Sequence, residues 1–504
     1  MRDAFDVATI RALEGEAIAQ VGEDTLMQRA ASGVAAAAAR EARAAQGKVF
    51  GAKIMILVGP GNNGGDALFA GARLARRGAA VIAVRCLGQP HARGLAALLA
   101  AGGRLIDLDD LGSAEDHRPF DTLRTGGLSS SMPDVAVDGI LGIGGRPGLP
   151  DRVALLAAAL SSRRVPTVAV DLPSGVDADT GGVPGASVRA SRTVTFGQLK
   201  PCHLIEPAHS RCGEIEVVDI GLGAARALPG GLWLRQMNDE ELAGWPFPDA
   251  RSDKYSRGVV GIDAGSDQYP GAGVLSTYGA VYGGAGMVRF LGADKPAEII
   301  RRALPNVVFS AGQVQSHLLG SGWGDRPDGA EVIATALDSG LPAVIDADGL
   351  KYLPEKLPAT WLLTPHAGEL ARLLGEERTW VTDDPIRAVR AAVAKTGATV
   401  LLKGATQLVA APDLEWVSVA MPGAAWTAQA GSGDVLGGLC ATLLAAGLST
   451  EDAAVRAASI QALTARRHPG PLPPQRLAEL IADEIGALQR RQSALLDQIG
   501  RTRL

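Results

Sequence analysis

Two glycine–aspartate loops carry the residue types best suited to chemistry. The first reads Gly59-Pro60-Gly61-Asn62-Asn63-Gly64-Gly65-Asp66 and follows the apolar run KIMILV. Glycines let a backbone approach a ligand closely, and amides at the start of a following helix receive phosphate oxygens. A tight turn does not need three polar side chains, so Asn62, Asn63 and Asp66 point to a ligand. The spacing is not the G-x-G-x-x-G of a dinucleotide fingerprint. Two more aspartates end strand-like runs. Asp138 ends VAVD and opens a loop with five glycines over residues 139–148, and Asp171 ends TVAVD and opens Leu172-Pro173-Ser174-Gly175. Each alone is as readily an aspartate capping a loop backbone. Three such strand ends in one parallel sheet converge on one crevice. Asn63, Asp138 and Ser174 then form an oxygen set suited to a hard monovalent or divalent cation, with no Cys or His near, and Asp171 is left as an acid–base group.

The second loop, Ala430-Gly431-Ser432-Gly433-Asp434, leads into VLGGLCATLLAAG. Glycines at a helix start expose amide donors, and the helix dipole adds positive potential, so an anion is stabilised there. An aspartate beside that anion can take a proton from a hydroxyl that attacks or carries a phosphoryl group. Lys403, before Gly404, suits a phosphate. His366 is by itself more readily a hydrogen-bonded loop histidine than a ligand.

These residues need strand ends and helix starts to hold them. Residues 5–43 read as two helices broken near residues 22–24, with Asp24 a candidate N-cap. Strands are expected at Lys53–Val58, Ala80–Arg85, 135–138, 167–171, 193–196 and 215–220, with helices at 67–78 and 152–161 between them. Such alternation indicates an α/β fold with a mostly parallel sheet, which binds ligands at the carboxyl ends of its strands. Residues 224–248 (LPGGLW, WPFP) break the pattern and read as a linker between units 1–223 and 249–504. A second series places strands at 259–262, 343–346, 361–364 and Thr399–Leu402, then helices at 433–446 and 450–468. Residues 476–504 read as a solvated terminal helix.

Composition narrows the function classes. The 504 residues carry 49 Lys and Arg against 54 Asp and Glu, a net charge of −5, which argues against nucleic-acid binding as the main role. Four cysteines without metal-ligand spacing point to a reducing cytoplasm. No apolar signal region and no apolar run of membrane-spanning length is expected.

The ordered motifs GPGNNGGD, VDGILGIG and VDLPSGVDADTG resemble the YjeF N-terminal domain, the NAD(P)H-hydrate epimerase family. The resemblance covers roughly residues 5–223 and implies a Rossmann-like three-layer αβα domain. It further implies that Asn62, Asn63, Gly64, Gly65 and Asp66, with Gly142, Ile143, Gly144, Gly145, Arg146, Pro147 and Gly148, hold the hydrated nucleotide. Asn63, Asp138 and Ser174 would bind potassium, and Asp171 would contact substrate as the acid–base residue. Ala67 stands where the family usually has glycine, and its methyl could narrow the pocket.

A GxGD helix start resembles the ribokinase-like superfamily, in which this aspartate is the usual base. That leaves a kinase or a relative with different chemistry. The motifs around Lys254, LLGSGWG, IDADGL, TPHAGEL and LLKGATQLV together resemble the YjeF C-terminal domain, the ADP-dependent NAD(P)H-hydrate dehydratase family. The resemblance implies a ribokinase-like α/β domain in which Ala272, Gly322, His366 and Asp434 touch the hydrate. Lys403, Gly404, Ala405, Thr406, Gln407 and Gly433 would hold ADP or AMP, with magnesium on the phosphates and Asp434 as base. Residues 424–429 (AAWTAQ) replace an Asn- and Gly-containing stretch common in the family, and Trp426 either packs under that loop or lines the pocket. The implied function is bifunctional repair: R- and S-NADHX or NADPHX are interconverted, and the S form is dehydrated at the expense of ADP, giving AMP and phosphate. The sequence is compatible with a homo-oligomer. The alternative is a small-molecule kinase fused to a non-catalytic nucleotide-binding or interaction module.

Overall fold

The computed structural model describes residues 2–111, 132–223 and 228–502. The chain divides into two compact units, Asp3–Trp233 and a second made of Leu234–Leu504 together with Met1–Arg2.

The first unit is built on a seven-stranded sheet with every pairing parallel. Its order is Arg104–Asp107, Ala80–Arg85, Lys53–Val58, Val135–Gly139, Thr167–Val170, Arg192–Phe196, Glu214–Val218. Successive side chains on a strand face opposite sides. Ile54, Ile56 and Val58 pack on the helices Glu23–Gln46 and Gly61–Arg76, while Met55 and Leu57 pack on Asp151–Ser162. Three layers result, and the strands read as continuous apolar runs because both faces are covered. Helices Val7–Val21 and Glu23–Gln46 do break where the sequence suggests. The cap, however, is Gly22 at φ 84°, not Asp24, whose carboxylate accepts a hydrogen bond from Arg93 instead. Glycine takes the position because its φ is unfavourable for any L side chain.

The second unit also has a central sheet. Its order runs Trp233–Gln236, Val417–Val419, Leu408–Ala410, Thr399–Leu402, Trp361–Leu363, Ala343–Ile345, Ser316–Leu319, Val259–Asp263, Met287–Phe290. Pairings are parallel except at Leu408–Ala410, which runs against both neighbours. The helices Pro270–Tyr282 and Ser432–Ala445 pack so closely that backbone touches backbone. A methyl on Gly279 would stand 2.2 Å from the Val435 carbonyl oxygen, and one on Gly438 would stand 2.2 Å from that of Ser276.

Two stretches differ from expectation. Residues 224–227 lie outside the described residues, but the rest of the expected linker is structured. Leu234, Arg235 and Gln236 pair with Val417, Ser418 and Val419, and Asp239–Leu242 is a helix capped by Asn238. The short strand was hidden among Pro, Gly and Trp. The helix Pro474–Thr502 is not simply a solvated tail: Leu477, Ile481 and Leu488 are buried in the core of the second unit. Their spacing makes one apolar stripe on a helix whose other faces are charged.

Candidate functional site

In the first unit, a cleft of about 480 Å³ opens at the carboxyl ends of the strands. Asn62, Asn63, Asp66, Gly142, Ile143, Gly144, Gly145 and Asp171 line it, and Arg11 and Glu14 of helix Val7–Val21 complete the wall. Gly64, Gly65, Arg146, Pro147 and Gly148 are not part of that lining. Gly64 and Gly65 are buried in the first turn of their helix, and the amide of Gly148 donates to the Gly175 carbonyl at 2.8 Å. Ala67 does not narrow the cleft. It is fully buried, and a methyl on Gly139 would stand 2.4 Å from its Cβ, so glycine at 139 makes room for alanine at 67.

Asp171 sits immediately after Thr167–Val170 with φ 66°, a conformation few non-glycine residues adopt. Its backbone is held on both sides: its amide donates to Val194 at 2.7 Å, and His203 Nε2 donates to its carbonyl at 2.9 Å. The His203 tautomer follows from its other nitrogen, since Nδ1 accepts the Lys200 amide at 3.0 Å. The Asp171 carboxylate receives the Lys200 ammonium at 2.5 Å and the Thr195 hydroxyl at 3.1 Å. Lys200, Thr195 and His203 were not singled out from sequence. The available signal was a lysine in an otherwise apolar stretch just past a strand end.

Asp66 and Glu14 are carboxyls of the same cleft. Burial first, then the charges of Asp171 and Glu14, push the Asp66 carboxyl well above the usual range. Burial and then Asp171 also raise Glu14. Asp138 is fully buried, and burial raises its pKa to about 6. Its hydrogen-bond donors are neutral: the Ser174 hydroxyl at 2.6 Å, the Ser174 amide at 2.8 Å and the Ile140 amide at 3.2 Å. Asn63 lies against Gly142, and its buried amide nitrogen has no hydrogen-bond partner among the described residues. The Leu141 amide donates to Ser174 Oγ at 2.9 Å, so one loop gathers the whole oxygen set.

In the second unit, Asp434 lies in the first turn of Ser432–Ala445, after Gly431 at φ 94°. A methyl on Gly433 would stand 3.3 Å from Lys403 Nζ, which puts that ammonium at the helix start. Lys403 donates to Asp346 at 2.5 Å, and Asp346 also accepts the Thr364 hydroxyl at 2.8 Å and the Ser321 hydroxyl at 3.0 Å. Burial, then the Asp346 charge, raise the Asp434 pKa to about 7, with Lys403 and Ser321 acting the other way. Burial alone would lower Lys403, but Asp346 and Glu369 hold it above its ordinary value. Gly322 follows Ser321 and touches Ala272: a methyl on it would stand 2.5 Å from the Ala272 Cβ. His366 caps helix Ala367–Leu374, its Nδ1 accepting the amides of Gly368 and Glu369 at 3.0 and 3.2 Å. Its Nε2 lies 3.3 Å from a Glu369 carboxylate oxygen, and a β-bridge joins His366 to Lys403. Ala272, Gly322, His366, Lys403, Gly433 and Asp434 are thus neighbours through these contacts, while Gly404 and Ala405 are exposed beside Lys403. Asp346, within IDADGL, carries no sequence signal of its own for the ion pair it makes with Lys403. Trp426 is 56% exposed and does not pack beneath its loop.

Among the described residues, no three His, Cys, Asp or Glu side chains are grouped to hold a metal ion, and no helix is long and apolar enough to cross a membrane.

Residues 260–485 match the model of the NAD(P)H-hydrate dehydratase family, and residues 23–202 match that of the YjeF-related protein N-terminus. The bifunctional NAD(P)H-hydrate repair enzyme of Mycobacterium tuberculosis is 41% identical over 466 residues, covering 90% of this chain and 91% of that protein. Its namesake from Corynebacterium glutamicum is 33% identical, covering 88% of this chain and 87% of the relative. Among solved structures, the ADP/ATP-dependent NAD(P)H-hydrate dehydratase of Bacillus subtilis, co-crystallized with ATP/Mg2+, aligns with a TM-score of 0.46 at 22% identity. It covers 51% of this chain and 98% of that one.

Proposed function

The chain belongs to the family of bifunctional NAD(P)H-hydrate repair enzymes, and from that premise we propose how its two units divide the work. The first unit epimerises R- and S-NAD(P)H hydrates, and the second dehydrates the S form to NAD(P)H at the expense of ADP, giving AMP and phosphate.

Loss of water from the hydrated ring is hard because hydroxide leaves poorly. Asp434 deprotonates the ring hydroxyl, the hydroxyl takes a phosphoryl group from ADP, and phosphate then leaves in place of hydroxide. The observation that carries this reading is the Asp434 carboxyl at an open helix start beside Lys403, with a pKa near 7 that lets it accept a proton. Lys403, Gly404, Ala405, Thr406, Gln407 and Gly433 hold the nucleotide, and Ala272, Gly322 and His366 orient the hydrate. Magnesium, when bound, screens the phosphate charges. It would be brought in with the nucleotide's phosphates, because both Asp346 oxygens are already engaged, one by Lys403 and Thr364 and the other by Ser321.

In the first unit Asp171 is the acid–base group, kept in place by Lys200 and its strained backbone. Potassium fits Asn63, Asp138 and Ser174, because a buried carboxylate met by neutral donors is relieved by a cation, to which Asn63 Oδ1 and the Ser174 hydroxyl would add neutral oxygens. When bound it supplies a positive charge beneath the nucleotide-binding loop.

Mixed hydrate epimers incubated with the enzyme, with and without ADP, test both roles. With ADP the reduced-nicotinamide absorbance should recover fully. Recovery that stops at the S fraction removes the epimerase, and a stable phosphorylated product in place of free phosphate favours the kinase alternative.

A further inference from the structure

The two carboxyls facing the first unit's cleft arrive from different strands. Helix Gly61–Arg76, bearing Asp66, follows strand Lys53–Val58, and Asp171 follows Thr167–Val170, with Val135–Gly139 between those two strands. Two strand spacings separate their points of entry by about 10 Å, and both carboxyls line the one cleft. Their surroundings differ. Asp171 is ion-paired with Lys200 and accepts Thr195. Asp66 is 8% exposed, and its Oδ1 is buried without a hydrogen-bond partner among the described residues. The other charged or titratable groups around it are Arg11 and Glu14 on helix Val7–Val21, Glu23 on the next helix, and His91 against Gly65.

We propose that Asp66 is the proton donor of the epimerising site, working across the cleft from Asp171 as acceptor. This rests on the reading of the first unit as an epimerase. One ammonium serves the Asp171 side, while Asp66 shares the remaining space with Glu14, Glu23 and the Arg11 guanidinium. Burial first, then the charges of Asp171 and Glu14, favour the protonated form of the Asp66 carboxyl.

The substrate's chemistry calls for such a pair. Hydration of a reduced nicotinamide ring puts the hydroxyl on the carbon beside the ring nitrogen. Asp66 gives its proton to that hydroxyl, the C–O bond breaks, and water departs as the nitrogen lone pair forms a C=N bond. A water molecule then adds to the opposite face and gives a proton to Asp171. One water leaves and one enters, the configuration inverts, and the proton returns from Asp171 to Asp66 through solvent. Two faces require two groups on opposite sides, and a single base cannot serve both.

The test is Asp66→Asn in the full-length enzyme, with R-to-S conversion measured alongside dehydration of the pure S hydrate. We expect epimerase kcat to fall about 100-fold or more with KM within about threefold, and dehydration to be unchanged. A kcat within about threefold of wild type overturns the proposal. The wild-type enzyme supplies two readings that need no variant. Its epimerase kcat should fall on the alkaline side as Asp66 ionises, and conversion in heavy-oxygen water should label the ring hydroxyl. A kcat flat above neutrality, or unlabelled product, overturns the proposal. Wild-type enzyme that dehydrates the S hydrate but never converts the R form removes instead the epimerase reading beneath it.

Discussion

The Lys200 ammonium lies 2.5 Å from the Asp171 carboxylate, and Thr195 hydrogen-bonds to both, at 2.9 Å from Lys200 and 3.1 Å from Asp171. The lysine side chain is 1% exposed and the aspartate side chain 9%. A charge this deep is tolerated only with its partner.

Replacing Lys200 by methionine should therefore leave a buried carboxylate uncompensated. The expected cost is about 3–5 kcal/mol of the first unit's stability, with loss of epimerisation. Denaturant titration of the variant checks it, and a loss under about 1 kcal/mol would show that Asp171 does not depend on Lys200.

Asp434 must be ionised to act as a base, so dehydratase kcat/KM should climb as pH rises through about 7. Asp434→Asn should reduce kcat at least about 100-fold. Dehydration that keeps full turnover in this variant would remove Asp434 from the role.

The same shift carries a stability consequence with a definite sign. A folded-state pKa raised from 3.8 to about 7 favours the protonated form, so this group's contribution is fullest below about pH 4 and is lost as pH rises through 7. Asp434→Asn should stabilise the second unit above pH 7 by about 1–2 kcal/mol, after allowance for partial solvent screening. Thermal unfolding at pH 5 and pH 8 measures it. A gain that shrinks toward alkaline pH contradicts the assignment.

Potassium should raise the first unit's melting temperature and its epimerase rate relative to a large organic cation at equal ionic strength. Asp138→Asn should abolish both effects. A response to potassium that survives this substitution would place the ion elsewhere.

Gly438→Ala should destabilise the second unit by about 1–3 kcal/mol or more, because the added methyl meets the Ser276 carbonyl carbon-to-oxygen at 2.2 Å. Calorimetry of this variant beside Gly271→Ala, a helical position where a methyl meets nothing within 4 Å, separates crowding from the general effect of losing a glycine.

What was legible in sequence was whatever repeats or punctuates. Runs such as KIMILV and TVAV read as strands because both faces of their sheet are buried, and GSGD marked a helix start because glycine at φ 94° is needed there. Partners were less visible. Lys200 and Asp346 act on Asp171 and Lys403 across the fold, and nothing in their own neighbourhood names the residue they meet. Trp233–Gln236 was hidden because its pairing partner lies at Val417–Val419, far along the chain. In Pro474–Thr502 the charged residues outnumber the buried stripe, so the stripe was easily read as solvated. His366 is the intermediate case: its motif drew notice, but its Nδ1 turns out to be occupied in capping a helix.

The reciprocal glycine contacts between Pro270–Tyr282 and Ser432–Ala445 have a mechanical meaning. Ala272 rides at the head of one helix and Asp434 at the head of the other, so the two groups proposed to meet the hydrate belong to one stiff girder. Drawing them apart means dragging main chain over main chain, with no side chains between to slide. Alignment at this centre is set when the unit folds and does not wait on the ligand.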